Sequence, residues 1–206
     1  MRPTVFADPV SEVAFAVAVA AVVVVQWRTG VRSTASRFSG DPDVQHLDRG
    51  SLAAVGMFAG AGIIGGVQVG ERVRYARIAP GQPLVHWPLI AVGILLVALG
   101  AVLRQWAMST LGRFFTYDVR ISPGQTVVDR GPYRFVRHPS YSALVLVFVG
   151  LGLAFCNWLA LPLFVVLPTI GLVWRIRVEE AALLSGFGDA YRAYAQGRRR
   201  LVPGLW

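Results

Sequence analysis

His138 and Tyr141 stand within one helical turn of each other in RGPYRFVRHPSY, residues 130–141, at the mouth of a long apolar run. The same stretch holds Arg130, Arg134, Arg137, Tyr133 and the prolines Pro132 and Pro139. Ionisable side chains at the end of a membrane segment are expensive and mark function. Proline has a fixed φ and no N–H, so it opens helices readily. Pro139 is therefore expected to start a helix, with His138 at its cap. A helix start offers unpaired N–H groups and the positive end of the helix dipole, which suit a carboxylate or a similar anion. Tyr133 and Tyr141 add aromatic faces and hydroxyls. A flat heterocycle with a hydroxylated sugar and a charged end would suit this mixture.

A second cluster follows in WRIRVEEAALL, residues 174–184. Arg175 and Glu179 are four apart, as are Ile176 and Glu180. On a helix, Arg175 and Glu179 share one face. An Arg-His flank and an exposed Arg–Glu pair could each be ordinary surface chemistry. Together they point further, because the run between them, 141–174, is nearly uncharged and too long for one bilayer crossing. Cys156-Asn157-Trp158 sits near its middle, and Asn favours turns while Trp favours interfaces. The run is expected to fold as two short helices around that turn, a hairpin over 140–174. Its two polar ends then meet at one membrane mouth. An apolar hairpin below a polar mouth suits an amphiphile, with a lipid tail inside and a reacting head outside.

The remaining chain reads as more membrane helix. Apolar runs cover 10–27, 51–70 and 85–108. The first is read as a retained helix, because no convincing cleavage site precedes Trp27 and Arg28. The fold class is all-α: a polytopic membrane protein of about five spans, with the C-terminal hairpin and an amphipathic tail helix. Residues 1–108 form the three N-terminal spans, and 109–206 the loop, hairpin and tail that carry the chemistry. The tail from Arg175 has Phe187, Tyr191 and Tyr194 at helical spacing and is expected to lie on the surface. The segment 104–139 and the tail hold twelve of the twenty arginines, so both are placed in the cytoplasm. That choice leaves Arg72, Arg74 and Arg77 outside, against the charge rule.

Composition supports this class. Of the residues, 55% are hydrophobic and mean hydropathy is +0.55, more apolar than a soluble domain requires. All twenty basic residues are arginine and the net charge is +9. Such composition suits an anionic cytoplasmic leaflet and hints at a high-GC bacterium with the protein in its plasma membrane. The arginines are spread over loops, which argues against nucleic acid; the compact run Arg198-Arg199-Arg200 is expected at lipid headgroups. One cysteine, Cys156, excludes an internal disulfide, and His46, His86 and His138 lie too far apart for metal spacing, so no metal is expected. GAGIIG, residues 60–65, matches a dinucleotide fingerprint but lacks the preceding strand that the fingerprint needs. Gly56, Gly60, Gly62, Gly66 and Gly70 instead give fourfold spacing for close helix packing, within the chain or against a second copy in a homo-oligomer.

GPYRFVRHPSY, CNW and RIRVEEAALLSGFGDAYRAYAQGRRRLVPGLW, in that order, resemble the isoprenylcysteine carboxyl methyltransferase family. Its members are integral-membrane enzymes that use S-adenosylmethionine; related phospholipid N-methyltransferases share the Arg-His-Pro-x-Tyr and paired-Glu pattern. The likeness covers roughly residues 113–206 and leaves the first two spans without a counterpart. It implies that Gln125, Thr126, Val127, Val128, Tyr133, His138, Pro139, Ser140, Tyr141 and Glu179 contact the cofactor. It implies that Arg175 meets the acceptor, with Glu180 beside the site. A carboxylate acceptor is ionised at neutral pH and needs no base; an amine acceptor would need one, with Glu180 or His138 the candidate. The acceptor is expected to be a lipophilic small molecule or a lipidated group. Three alternatives stand beside O-methylation. They are a lipid amine N-methyltransferase, a membrane NADPH-dependent reductase with a similar Arg-His-Pro motif, and a non-catalytic assembly protein using the glycine-rich span.

Overall fold

The computed structural model describes residues 45, 46, 48, 50–78, 82–116, 119–121, 124–204 and 206. The expected first span, 10–27, and most of the loop 28–50 lie outside the described residues. Five helices follow: α1 Ser51–Arg72, α2 Pro83–Leu111, α3 Pro139–Ala154, α4 Ala160–Phe187 and α5 Asp189–Gln196. The one sheet element among the described residues is a two-residue antiparallel pair, Gln45–His46 with Arg120–Ile121. The all-α reading holds.

Helices α1, α2 and α4 are long and apolar enough to cross a membrane. Helix α3 has 16 residues, about 24 Å at 1.5 Å per residue, short of a full hydrocarbon core. Helix α4 has 28 residues, about 42 Å, longer than the core is thick. The hairpin therefore departs from the expected 140–174: its second helix runs on to Phe187 through the Arg-Glu cluster. The reason is local. Residues 178–184 are mostly Ala, Leu and Glu, strong helix formers. The helix stops at Gly188, whose φ of 51° is open to glycine without strain. The segment 104–139 also begins later than expected. Arg104 lies within α2 and is buried, bonding to Ser140, so it is not a loop charge.

The helices stand in the order α2, α3, α4, α1. Glycine brings the backbones together. A Cβ at Gly66 would stand 2.5 Å from Phe164, and one at Gly70 2.6 Å from Phe155. Gly62 sits against Leu163 and Pro168. The face of Gly62, Gly66 and Gly70 is therefore consumed within the chain, by α4 and its preceding turn, and is not open to a second copy. Gly56 and Gly60 have nothing close to them. Across α2 and α3, Gly93 and Gly150 face each other, each Cβ position within 2.6 Å of the other's carbonyl oxygen.

The expected turn at Cys156-Asn157-Trp158 is present. Asn157 is fully buried. Its Oδ1 accepts from the N–H groups of Leu159 (3.0 Å) and Ala160 (3.1 Å), so it caps the start of α4. Its Nδ2 donates to the Val73 carbonyl at 3.0 Å. Backbone bonds from Ile78 to Cys156 and from Trp158 to Ala76 tie the turn to the segment after α1. That end of the bundle is closed, and the chemistry-bearing residues gather at the other.

Candidate functional site

The site forms where α1 and α3 begin and α2 ends. Pro139 is the first residue of α3 and His138 its N-cap, as expected. The His138 side chain is buried and faces α4, with Nε2 3.3 Å from Glu180 and Nδ1 3.8 Å from Glu179. Tyr141, one turn in, donates its hydroxyl hydrogen to Glu179 at 2.6 Å. Arg175 Nε donates to the Tyr141 hydroxyl at 3.1 Å. The two clusters at the ends of the hairpin thus meet.

Arg175 is itself held from the start of α1. It donates to Ser51 Oγ at 2.8 Å and pairs with Asp48. Asp48 also accepts from the Ser51 hydroxyl at 2.6 Å. Partial burial raises the Asp48 pKa, but the Ser51 hydrogen bond and the Arg175 charge outweigh it and hold the carboxyl below its ordinary value. Nothing in the sequence pattern marked Asp48 as the partner of Arg175, because the contact spans 127 residues.

These groups surround a cavity of about 230 Å³. Of the residues singled out in the sequence, Gln125, Thr126, Val127, Val128, Tyr133, His138, Ser140, Tyr141, Arg175 and Glu179 line it. Residues 125–129 run past it without regular secondary structure. Pro139 and Glu180 are absent from its lining. Glu180 is buried in an ionic knot instead: Arg137 at 2.7 Å, Arg200 at 2.9 Å and His138. The desolvated carboxylate is thus matched by cations rather than aimed into the cavity.

Other lining residues escaped the sequence reading. Arg104 lines the cavity from α2 and donates to Ser140 Oγ at 2.7 Å. A buried arginine inside an apolar helix was the available signal. Tyr191 and Tyr194 are buried and face the cavity rather than a membrane surface. Their spacing on one helical face was visible, but not what covers that face. The Tyr194 hydroxyl donates to the Tyr133 carbonyl at 2.8 Å, and burial pushes its pKa up to about 12. Burial first, then the nearby Glu179 carboxylate, raise the Tyr133 phenol as well, so it stays protonated.

The basic run is also used inside the chain. Arg198 pairs with Asp129 at 2.7 Å and stacks over Tyr194, while Arg200 pairs with Glu180. The Arg199 and Arg200 carbonyls accept the Arg137 and His138 N–H groups at 2.8 and 3.0 Å. Only Arg199 of the three is exposed. The run straps the Arg-His-Pro segment, and only Arg199 is left facing outward.

Comparison with known proteins agrees with the motifs. Residues 91–185 match the model of the isoprenylcysteine carboxyl methyltransferase (ICMT) family. A probable protein-S-isoprenylcysteine O-methyltransferase of Oryza sativa subsp. indica is 35% identical over 113 residues, which is 54% of this chain and 59% of the rice protein. An uncharacterised Bacillus subtilis protein is 32% identical over 102 residues, 50% of this chain and 59% of its own. Among solved structures, the eukaryotic intramembrane Ras methyltransferase ICMT aligns with a TM-score of 0.60 and 28% identity, covering 73% of this chain and 52% of that one. The chain thus spans a little over half the length of each of these three proteins. The likeness read from the motifs is borne out, and the apolar helices make the chain an integral membrane protein.

Proposed function

Building on its likeness to the isoprenylcysteine carboxyl methyltransferase family, we propose that the chain is a membrane methyltransferase acting on a lipophilic carboxylate, with S-adenosylmethionine as donor. The observation that carries this reading is the chain of contacts Glu179–Tyr141–Arg175, which joins the Arg-His-Pro-x-Tyr and Arg-Glu motifs at one cavity. The residues fit the cofactor. The cavity offers a carboxylate, guanidinium groups, phenols and apolar walls, and one of its buried hydroxyls, that of Tyr191, has no partner among the described residues. When bound, S-adenosylmethionine supplies a methyl group on a sulfonium, ready for in-line displacement.

The chain's part is positioning, which can supply much of the rate in a displacement of this kind. Gln125, Thr126, Val127, Val128 and Tyr133 hold the donor from the loop side. His138, Ser140 and Tyr141 hold it from the start of α3, which Pro139 sets, and Glu179 holds it from α4. Arg175 meets the acceptor carboxylate and orients it by paired hydrogen bonds. Asp48 and Ser51 fix the guanidinium for that task. Glu180 is fully engaged by Arg137, Arg200 and His138, which supports an acceptor that needs no general base. The apolar wall from Leu52, Val55, Leu144 and Leu172 suits the acceptor's lipid end. We place the cavity mouth at the cytoplasmic face of a bacterial plasma membrane.

The test is calorimetry on detergent-purified protein with S-adenosylhomocysteine and, separately, NADPH. Micromolar binding of the first alone, lost in His138→Ala, is expected. Binding of NADPH alone would replace this reading with a reductase.

A further inference from the structure

Tyr191 is 3% exposed and its hydroxyl is buried with no hydrogen-bond partner among the described residues. The Nε of Arg137 is in the same condition. Both residues line the cavity. Buried polar atoms are nearly always paired, because an unpaired one has lost its bonds to water and gained none in return. Two such atoms at one cavity point to an absent partner. Arg137 meets Glu180 through a terminal nitrogen at 2.7 Å, which leaves its Nε open, and Tyr194, not Tyr191, bonds to Tyr133.

The missing partner must be an acceptor. Guanidinium Nε can only donate. Burial, and the Glu180 carboxylate after it, raise the Tyr191 phenol, so it too keeps its proton to donate. Glu179, on the same cavity, offers the opposite charge. Donors beside a carboxylate are the complement of a zwitterionic α-amino acid. We propose that Tyr191 and Arg137 form the corner that takes the α-carboxylate of the cofactor's amino-acid end, while Glu179 faces its ammonium. This inference rests on the methyltransferase reading. It gives α5 a binding role that its surface-like sequence does not suggest, and it separates the cofactor's carboxylate from Arg175, which is kept for the acceptor.

Two ligands isolate the corner. S-Adenosylhomocysteine carries the amino-acid end; 5′-methylthioadenosine has the same nucleoside and thioether but lacks it. Calorimetry on wild type and Tyr191→Phe is expected to show a tenfold or greater loss of affinity for the first ligand and none for the second. The ligand-free variant should unfold at the same or a higher temperature, because only an unpaired hydroxyl is removed. Equal loss for both ligands, no loss for either, or a large fall in unfolding temperature would overturn the proposal. If wild type binds neither ligand, the methyltransferase reading falls and takes this corner with it. If wild type binds both and the variant does too, the corner alone is wrong.

Discussion

The hairpin of α3 and α4 carries buried polar groups at both ends, and the ends treat them differently. At the turn, Asn157 is fully buried and makes three hydrogen bonds to backbone groups. At the cavity, Tyr191 is about as buried, yet its hydroxyl is unpaired among the described residues. Both ends contain ionisable or amide side chains that an apolar bundle would rather exclude. Where every bond closes within the chain, the polar group is there for folding. Where bonds remain open beside a cavity, the group is left available to a ligand. Arg175 shares features of both, since it is anchored to Asp48, Ser51 and Tyr141 and still lines the cavity.

Substitutions at the two ends should therefore separate function from stability. The largest effect is expected at Arg175. Arg175→Ala should lower methyl transfer about a thousandfold, roughly 4 kcal/mol in barrier, while S-adenosylhomocysteine binding by calorimetry stays within a few-fold. Unchanged turnover would remove Arg175 from the acceptor site. Asn157→Ala should reverse the pattern. Three lost bonds correspond to about 3 kcal/mol of stability, seen as a lower unfolding temperature in detergent, with ligand affinity kept in the folded fraction. A loss of affinity without a loss of stability would erase the distinction between the ends. Gly66→Leu should cost about 2 kcal/mol by overpacking against Phe164, because α1 and α4 must separate; Gly60→Leu, on an uncovered face, should be near neutral. The smallest effect concerns Asp48. Its folded pKa lies below the ordinary carboxylate value of about 3.9. Its contribution is thus present above about pH 4 and lost as pH falls through the folded value. Wild type should lose more stability than Asp48→Asn on acidification from pH 6 to pH 3. Parallel curves would show the Asp48–Arg175 pair to be energetically silent.

Much of this arrangement was legible before the structure. Pro139 marked the start of α3, and Asn157 marked the turn, because both act through local backbone chemistry. The meeting of His138 and Tyr141 with Arg175 and Glu179 followed from chain length: a run too long for one crossing has to fold back. What stayed hidden depended on tertiary partners. Tyr191 and Tyr194 read as one apolar face of a surface helix, and only the packing of α5 turns that face to the cavity. Arg198 and Arg200 read as headgroup charges because Asp129 and Glu180, their partners, lie about 70 and 20 residues away in sequence. Arg104 read as part of the basic segment 104–139 because its partner, Ser140, lies 36 residues away in sequence.

The central claim is that the open end transfers a methyl group to a carboxylate. The most direct measurement uses S-adenosylmethionine labelled in its methyl group, purified protein and a panel of an S-prenylated cysteine, long-chain carboxylic acids and long-chain amines. A methyl ester releases labelled methanol on mild alkaline treatment, whereas an N-methyl group does not. The account predicts base-labile label on a carboxylic acceptor with wild type and its near disappearance with Arg175→Ala. Base-stable label on an amine, or no transfer to any lipophilic acceptor, would contradict it.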